Sequence, residues 1–105
     1  MNKNFIELTR DNLSNFITAP KLIVIFGLRD CKACIDLKSK WKDVSDLVPM
    51  VYVDVNICPR SVKLYPKVVK YYPTMTYWEN GYHKKDIEYK TMWHDIKKIY
   101  NNEFI

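Results

Sequence analysis

An uninterrupted run of β-branched and aromatic residues constrains the possible folds most strongly. Residues 22–26 read Leu-Ile-Val-Ile-Phe, which is typical of a strand with both faces covered. After a short turn, apolar residues recur every three or four positions over residues 31–48, and Pro49 ends this helical pattern. A buried strand that leads directly into an amphipathic helix predicts a βαβ unit.

The rest of the chain continues this alternation. The further predicted elements are a strand at residues 5–8, a helix with Thr9 as its N-cap, a strand at 51–55, a short helix from residue 57, strands at 74–78 and 82–89, and a closing helix capped by Thr91. Asn80-Gly81 favours a two-residue hairpin turn between the last two strands. The order β-α-β-α-β-α-β-β-α predicts an α/β fold, a mixed sheet with helices on both faces, in one domain over residues 1–105.

Composition narrows the function classes. Hydrophobic residues make up 48% of the 105 residues, enough for an ordinary core. The formal net charge is +5, but the lysines are scattered, which favours a solvated surface over a nucleic-acid-binding one. No apolar stretch is long enough to span a bilayer, and no signal peptide is visible. We therefore expect a cytoplasmic protein that binds neither nucleic acid nor membrane.

The cysteine pair Cys31 and Cys34 lies at the junction of the buried strand and the amphipathic helix. The N–H groups at a helix N-terminus stabilise a thiolate at Cys31. Lys32 adds a nearby cation, while Asp30 opposes it as a neighbouring anion. Cys34 lies about one turn deeper, close enough to attack a mixed disulfide formed at Cys31. This placement predicts a dithiol that exchanges disulfides.

A second candidate segment is Tyr72-Pro73-Thr74, directly before a predicted strand. A proline preceded by an aromatic residue at this place is a candidate for a cis peptide bond. It also leaves backbone groups of its neighbour available to an extended substrate segment. Alone, Pro73 is more typical of an ordinary strand start. Together with the cysteine junction, it favours a substrate-binding role for Tyr72, Pro73 and Thr74.

In this order the motifs resemble the thioredoxin family over nearly the whole chain. The matching pieces are the strand at 22–26, Cys31-x-x-Cys34 at a helix start, Val53-Asp54-Val55-Asn56, Tyr72-Pro73-Thr74, Glu79-Asn80-Gly81 and the closing helix. The resemblance implies a thioredoxin fold with Cys31 as attacking thiol, Cys34 as resolving thiol and Pro73 as the cis-proline. In such proteins the backbone of the preceding residue, here Tyr72, holds the substrate chain against the cysteines.

The function implied by this resemblance is thiol–disulfide exchange and electron transport. The expected partners are protein disulfide substrates and an external dithiol donor or reductase, and the expected state is a monomer. No cofactor is implied beyond the redox-active disulfide between Cys31 and Cys34.

Four departures from the family pattern concern the chemistry. Asp30-Cys31-Lys32-Ala33-Cys34 replaces Trp-Cys-Gly-Pro-Cys, and Ser39 replaces the proline that kinks the helix. Ile25 replaces a buried aspartate, and Tyr52 replaces its lysine partner. In the family this acid–base pair handles the proton of the resolving cysteine, and here water or, in a minor role, the Tyr52 hydroxyl would have to take it. The departures favour slower disulfide reduction and leave an isomerase- or oxidase-like variant open.

Other interpretations of the cysteines remain. The fold could serve as a binding or scaffold module with little turnover, because fold alone does not fix function. A zinc site would need ligands from the widely separated Cys58, His83 and His94, and no second Cys-x-x-Cys is present. Cys58 itself is either a small buried residue or a regulatory, intermolecular thiol.

Overall fold

The structure is a computed structural model that describes residues 5–44, 49–63 and 72–87. Its strands are β1 (Phe5–Glu7), β2 (Leu22–Gly27), β3 (Met50–Asp54), β4 (Thr74–Glu79) and β5 (Tyr82–Ile87); its α-helices are α1 (Lys32–Val44) and α2 (Pro59–Lys63); a 3-10 helix spans Leu13–Asn15. The predicted closing helix from Thr91 and the predicted ends of the cysteine helix and the last strand lie outside the described residues.

The five strands form one mixed sheet in the order β1-β3-β2-β4-β5. β1 and β2 pair in parallel with β3, whereas β4 runs antiparallel to both β2 and β5. All six residues of β2 are buried, as the continuous apolar run predicts. The predicted α/β architecture with a mixed sheet is confirmed.

Alternate side chains of the central strands contribute to two hydrophobic clusters, one on each face of the sheet. The α1-side cluster contains Leu37 of α1 together with Ile23, Ile25, Met50, Tyr52, Met75, Tyr77 and Ile87. The opposite cluster comprises Leu8, Leu13, Ile17, Leu22, Val24, Phe26, Val51, Val53, Cys58 and Trp78. Burial of both faces explains why β2 carries no polar side chain. None of the helices in the described residues is long and apolar enough to cross a bilayer.

The helix predicted after Thr9 is wrong in type and extent. Only a 3-10 helix forms at Leu13–Asn15, and Asn12, not Thr9, precedes it, without a side-chain capping hydrogen bond. A single turn is enough to bring Leu13 and Ile17 against the sheet, where both are buried. The short polar side chains between them favour turns over helix propagation.

The predicted Asn-Gly hairpin turn is confirmed. Asn80 has φ 52° and Gly81 has φ 88°, the left-handed values that a two-residue turn of this kind requires. Glu79 pairs with Tyr82 directly across the turn. The Asn80 N–H also donates to the Ala19 carbonyl at 3.0 Å, which ties the hairpin to the loop before β2.

A buried hydrogen-bond relay joins β4 to β2. The Trp78 indole Nε1 donates to the Thr76 hydroxyl at 2.7 Å, and that hydroxyl donates to the Val24 carbonyl at 2.9 Å. All three residues lie in the core, where a polar group that loses its partner is costly.

We therefore expect Thr76→Val, which keeps the side-chain shape but removes the hydroxyl, to lower the free energy of unfolding by about 2 kcal/mol. Thr76→Ser keeps the hydroxyl, loses one methyl group and should cost less. Urea denaturation of both variants provides the measurement. A valine variant as stable as the wild type would show that the relay contributes nothing.

Candidate active site

The end of β2 and the start of α1 position the two cysteines. Cys31 immediately precedes α1, and its carbonyl accepts the first helical hydrogen bond, from Ile35 N–H at 3.0 Å. Its Sγ accepts a hydrogen bond from the Cys34 backbone N–H at 3.2 Å. Cys31 thus occupies the N-cap position, where a helix N–H stabilises negative charge on the sulfur.

The two thiols differ in exposure. Both are free; Cys31 is partly exposed, whereas Cys34 is 0% exposed. Burial, with a smaller contribution from the hydrogen bond to Cys31, raises the pKa of the Cys34 thiol to about 11, although the Leu28 N–H, 3.5 Å from its sulfur, opposes the rise. At neutral pH, Cys34 is therefore a buried neutral thiol beneath a partly exposed sulfur.

The other residues predicted to tune the pair lie at the surface. Asp30 is in the turn before Cys31, Lys32 is the first residue of α1, and both are exposed. Their charges act on Cys31 through water, which screens them.

The Tyr72-Pro73-Thr74 segment lies at the same end of the sheet as the cysteines. Thr74 begins β4 and pairs with Phe26, one residue from the end of β2. The Tyr72–Pro73 peptide bond is cis, Pro73 and Thr74 are buried, and Tyr72 packs against the opposite cluster. The structure therefore brings both sequence-predicted segments to the end of the sheet at which β2 leads into α1.

Ile25 and Tyr52, the departures from the family pair, are neighbours on the α1 side of the sheet. They pair across β2 and β3, and both are buried. The Tyr52 ring extends toward the end of β2: a Cβ atom at Gly27 would lie 2.7 Å from its Cζ and in closer contact with its hydroxyl. Tyr52 therefore needs a glycine at position 27.

The Tyr52 hydroxyl, for which the sequence predicts only a minor role, is a hydrogen-bond partner of Cys34. Its hydrogen bond with Cys34 lowers the pKa of that thiol, against the effect of burial. Burial also raises the pKa of Tyr52 well above its usual value, and the nearby Cys34 adds to the rise. Gly27, one of two glycines in the chain, lies at the end of the buried strand and leaves room for this ring.

Lys38 covers the other side of the tyrosine. It lies one turn after Cys34 on α1, with its Nζ 5.1 Å from the centre of the Tyr52 ring and 3.1 Å from Glu7 Oε2. Both charged side chains are partly exposed, so the ion pair contributes little to stability. It places a cation over the Tyr52 ring and links α1 to β1 next to that ring.

The remaining candidate ligands are spread over the fold. Cys58 is buried in the opposite cluster, where its thiol donates to the Arg10 carbonyl at 3.1 Å and burial raises its pKa. His83, on β5, lies 2.8 Å from Asp86 Oδ1 and packs against Trp78. Within the residues that the structure describes, no three His, Cys, Asp or Glu side chains group as metal ligands. His94 lies outside those residues.

The difference between the thiols predicts selective alkylation. At neutral pH we expect iodoacetamide to modify Cys31 at least about tenfold faster than Cys34, because Cys34 is inaccessible and its thiolate becomes abundant only near pH 11. Peptide mass analysis over a pH series resolves the two sites, with Cys58 as the buried internal reference. Equal labelling of Cys31 and Cys34 would contradict this assignment.

The contact between Gly27 and Tyr52 predicts a coupled pair of substitutions. Gly27→Ala should lower the free energy of unfolding by about 2 kcal/mol, because the added methyl group overlaps the phenol. Adding Tyr52→Leu removes the overlapping atoms, so the double variant should be more stable than the sum of the two single losses predicts. Additive losses in urea denaturation would show that the two residues do not interact.

Comparisons with known proteins address the fold. No family model matches the chain, and a search of curated proteins finds no match. Solved structures do match: a Schistosoma mansoni thioredoxin (20% identity, 95% of each chain covered, TM-score 0.74), Arabidopsis thaliana thioredoxin O2 (17%, 97% of this chain and 96% of that one, 0.69) and a mutant thioredoxin from Halobacterium salinarum (12%, 96% and 91%, 0.73). The chain therefore has the thioredoxin fold, as the resemblance in its sequence implied.

Proposed function

We propose that the protein is a thiol–disulfide oxidoreductase that uses Cys31 and Cys34 on protein disulfides. The observation that carries this proposal is the arrangement of the two sulfurs. Cys31 is partly exposed and accepts a helix N–H, and Cys34 lies buried beneath it within hydrogen-bonding reach. A reactive thiol at the surface with a second thiol behind it is what two-step disulfide exchange needs.

The first step is attack by the Cys31 thiolate on one sulfur of a substrate disulfide. A bond forms between Cys31 and that sulfur, the substrate S–S bond breaks, and the leaving thiolate takes a proton from water. The Cys34 N–H, 3.2 Å from Cys31 Sγ, stabilises the attacking thiolate. The product is a mixed disulfide at Cys31.

The second step is resolution by Cys34. Its thiol loses a proton to water, and the thiolate attacks Cys31 Sγ. The Cys31–Cys34 disulfide forms as the second substrate thiolate leaves and is protonated by water. Two electrons have then passed from the protein dithiol to the substrate, and an external dithiol donor or reductase would return them.

The segment around Pro73 supports a protein substrate. Pro73 and Thr74 lie at the end of the sheet next to which Cys31 is placed, and Tyr72 precedes them with a partly exposed side chain. Backbone groups before a strand-initiating proline are suited to binding an extended chain. We accordingly assign substrate contact to Tyr72, and we propose that the protein works as a cytoplasmic monomer in electron transport.

A second candidate function is a binding or scaffold module that holds partners through the same edge. The observation that favours it is the buried Cys34 thiol with a pKa of about 11, because a thiol held neutral resolves slowly. A redox titration in glutathione buffers separates the two functions. An exchanging dithiol titrates as a two-electron couple, whereas a scaffold module leaves its thiols unchanged over the range.

The proposed roles predict a trapped intermediate. Cys34→Ser should attack a substrate disulfide at a rate close to that of the wild type, and then remain linked to it through Cys31 because no resolving thiolate follows. Cys31→Ser should abolish insulin reduction in the presence of a dithiol donor. Non-reducing gel electrophoresis and mass spectrometry detect the adduct.

Cys58→Ser is the matched control, since Cys58 is buried on the other side of the sheet. It should reduce insulin like the wild type. A Cys34→Ser protein that forms no adduct, or an adduct located at Cys58, would refute the assigned roles.

A further inference from the structure

The Tyr52 hydroxyl lies in the space that the absence of a side chain at Gly27 leaves open. Its ring extends along β3 toward the end of β2 and rests on Gly27, where any side chain would overlap it. Leu28, the next residue, has its backbone N–H 3.5 Å from Cys34 Sγ. The hydroxyl thus lies against the same short backbone stretch that contacts the resolving sulfur.

The strand neighbours of Tyr52 on β2 and β4 are apolar. Ile25 pairs with Tyr52 on one side and with Met75 on the other, and all three are buried in the α1-side cluster. This face of the sheet therefore presents two apolar side chains and one phenol, and the buried Asp54 follows the phenol on β3, paired with Gly27. A thiolate formed at Cys34 can be stabilised by the Leu28 N–H and by the Tyr52 hydroxyl, whereas Cys31 disfavours it.

We propose that the Tyr52 hydroxyl is the hydrogen-bond donor that stabilises the Cys34 thiolate during resolution of the mixed disulfide. This inference rests on the proposed exchange reaction and assigns Tyr52 to its second step. The phenol stays protonated throughout. It donates its O–H to Cys34 Sγ as the thiol proton passes to water, and the new S–S bond then removes the negative charge from Cys34.

Tyr52 acts as a donor and not as a base. Burial and the neighbouring Cys34 both raise the pKa of the phenol, which keeps it neutral. A neutral hydroxyl also costs less to bury than a carboxylate does. The hydrogen bond to a charged sulfur is the strong kind, so its loss should be visible in the rate.

The other titratable groups near Tyr52 and Cys34 come from α1, β3 and β1. Cys31 and Lys38 belong to the region of α1, Asp54 lies two residues after Tyr52 on β3, and Glu7 comes from β1. The Coulombic effects of Asp54, Cys31 and Glu7 raise the pKa of Tyr52 further. They act in the same direction as burial and keep the phenol a donor over the working pH range.

The test uses Tyr52→Phe, which keeps the ring and removes the hydroxyl. The probe is dithiobis(nitrobenzoate), which releases one coloured thiolate when Cys31 attacks and a second when Cys34 resolves. In stopped-flow measurements we expect the first release to be unchanged and the second to slow about tenfold, the smaller end of the effect of one hydrogen bond to a charged group. Raising the pH should restore the second release, because it supplies the thiolate that the hydroxyl no longer stabilises.

Tyr77→Phe is the matched control. It removes a hydroxyl from the same face of the sheet, but Tyr77 pairs with Ile23, toward the end of β2 remote from the cysteines. Both releases should match the wild type. A second measurement needs no turnover: in a Cys31→Ser background, Tyr52→Phe should reduce the rate of Cys34 alkylation about tenfold at a fixed pH below its pKa.

The outcomes separate the two proposals. A wild-type protein that releases the first thiolate but never the second refutes the exchange function, while the alkylation measurement still tests the hydrogen bond. If the wild type resolves and Tyr52→Phe resolves equally fast with unchanged alkylation, the role of Tyr52 is wrong. A slow second release that higher pH does not restore also overturns it, because a misplaced Cys34 and not a missing donor would then be the cause.

Discussion

Burial of β2 on both faces is the constraint on which the rest of the structure depends. Hydrogen bonds to β3 and β4 satisfy its backbone, and five of its six residues supply side chains to the two clusters. Because the strand ends inside the molecule, the chain must leave it through a tight turn, and α1 begins five residues later. The sulfur of Cys34 is thereby carried into the protein, and that of Cys31 stays at its edge. The chemical difference between two identical side chains follows from this geometry.

The antiparallel strand β4 joins the second half of the site to the first. Its pairing with β2 is maintained by the ladder and by the buried Trp78–Thr76–Val24 relay. Since β4 runs opposite to β2, its first residues lie beside the last residues of β2. The direction of β4 therefore places Pro73 and Thr74 at the same end of the sheet as the cysteines. This placement needs no direct contact between the two sequence motifs.

The sequence predicted the elements whose signals are local and strong. The apolar run of β2, the helical period after Cys31 and the Asn-Gly turn each express one physical requirement, and all three are found. The helix after Thr9 failed because Leu13 and Ile17 satisfy both a helical period and a single turn, and only packing against the sheet decides between them. The sequence predicts only a minor role for the Tyr52 hydroxyl, because the position of the ring depends on Gly27, a residue on another strand. Such a relation becomes visible only when the register Ile25–Tyr52 and Gly27–Asp54 is known.

A neutral hydrogen-bond donor and a buried carboxylate would assist resolution by Cys34 in different ways. A carboxylate in place of Ile25 would accept the thiol proton, but it would be buried beside Met75 and Leu37 in the α1-side cluster, where an unpaired charge is costly. Tyr52 avoids that cost and stabilises the thiolate, yet it has no means of taking the proton. Because Cys34 is wholly buried and the partly exposed Cys31 lies above it, the proton must leave on the Cys31 side. In the proposed exchange reaction the same opening would serve substrate, leaving thiolate and proton, so resolution would depend on water that remains beside Cys31 after the substrate has bound.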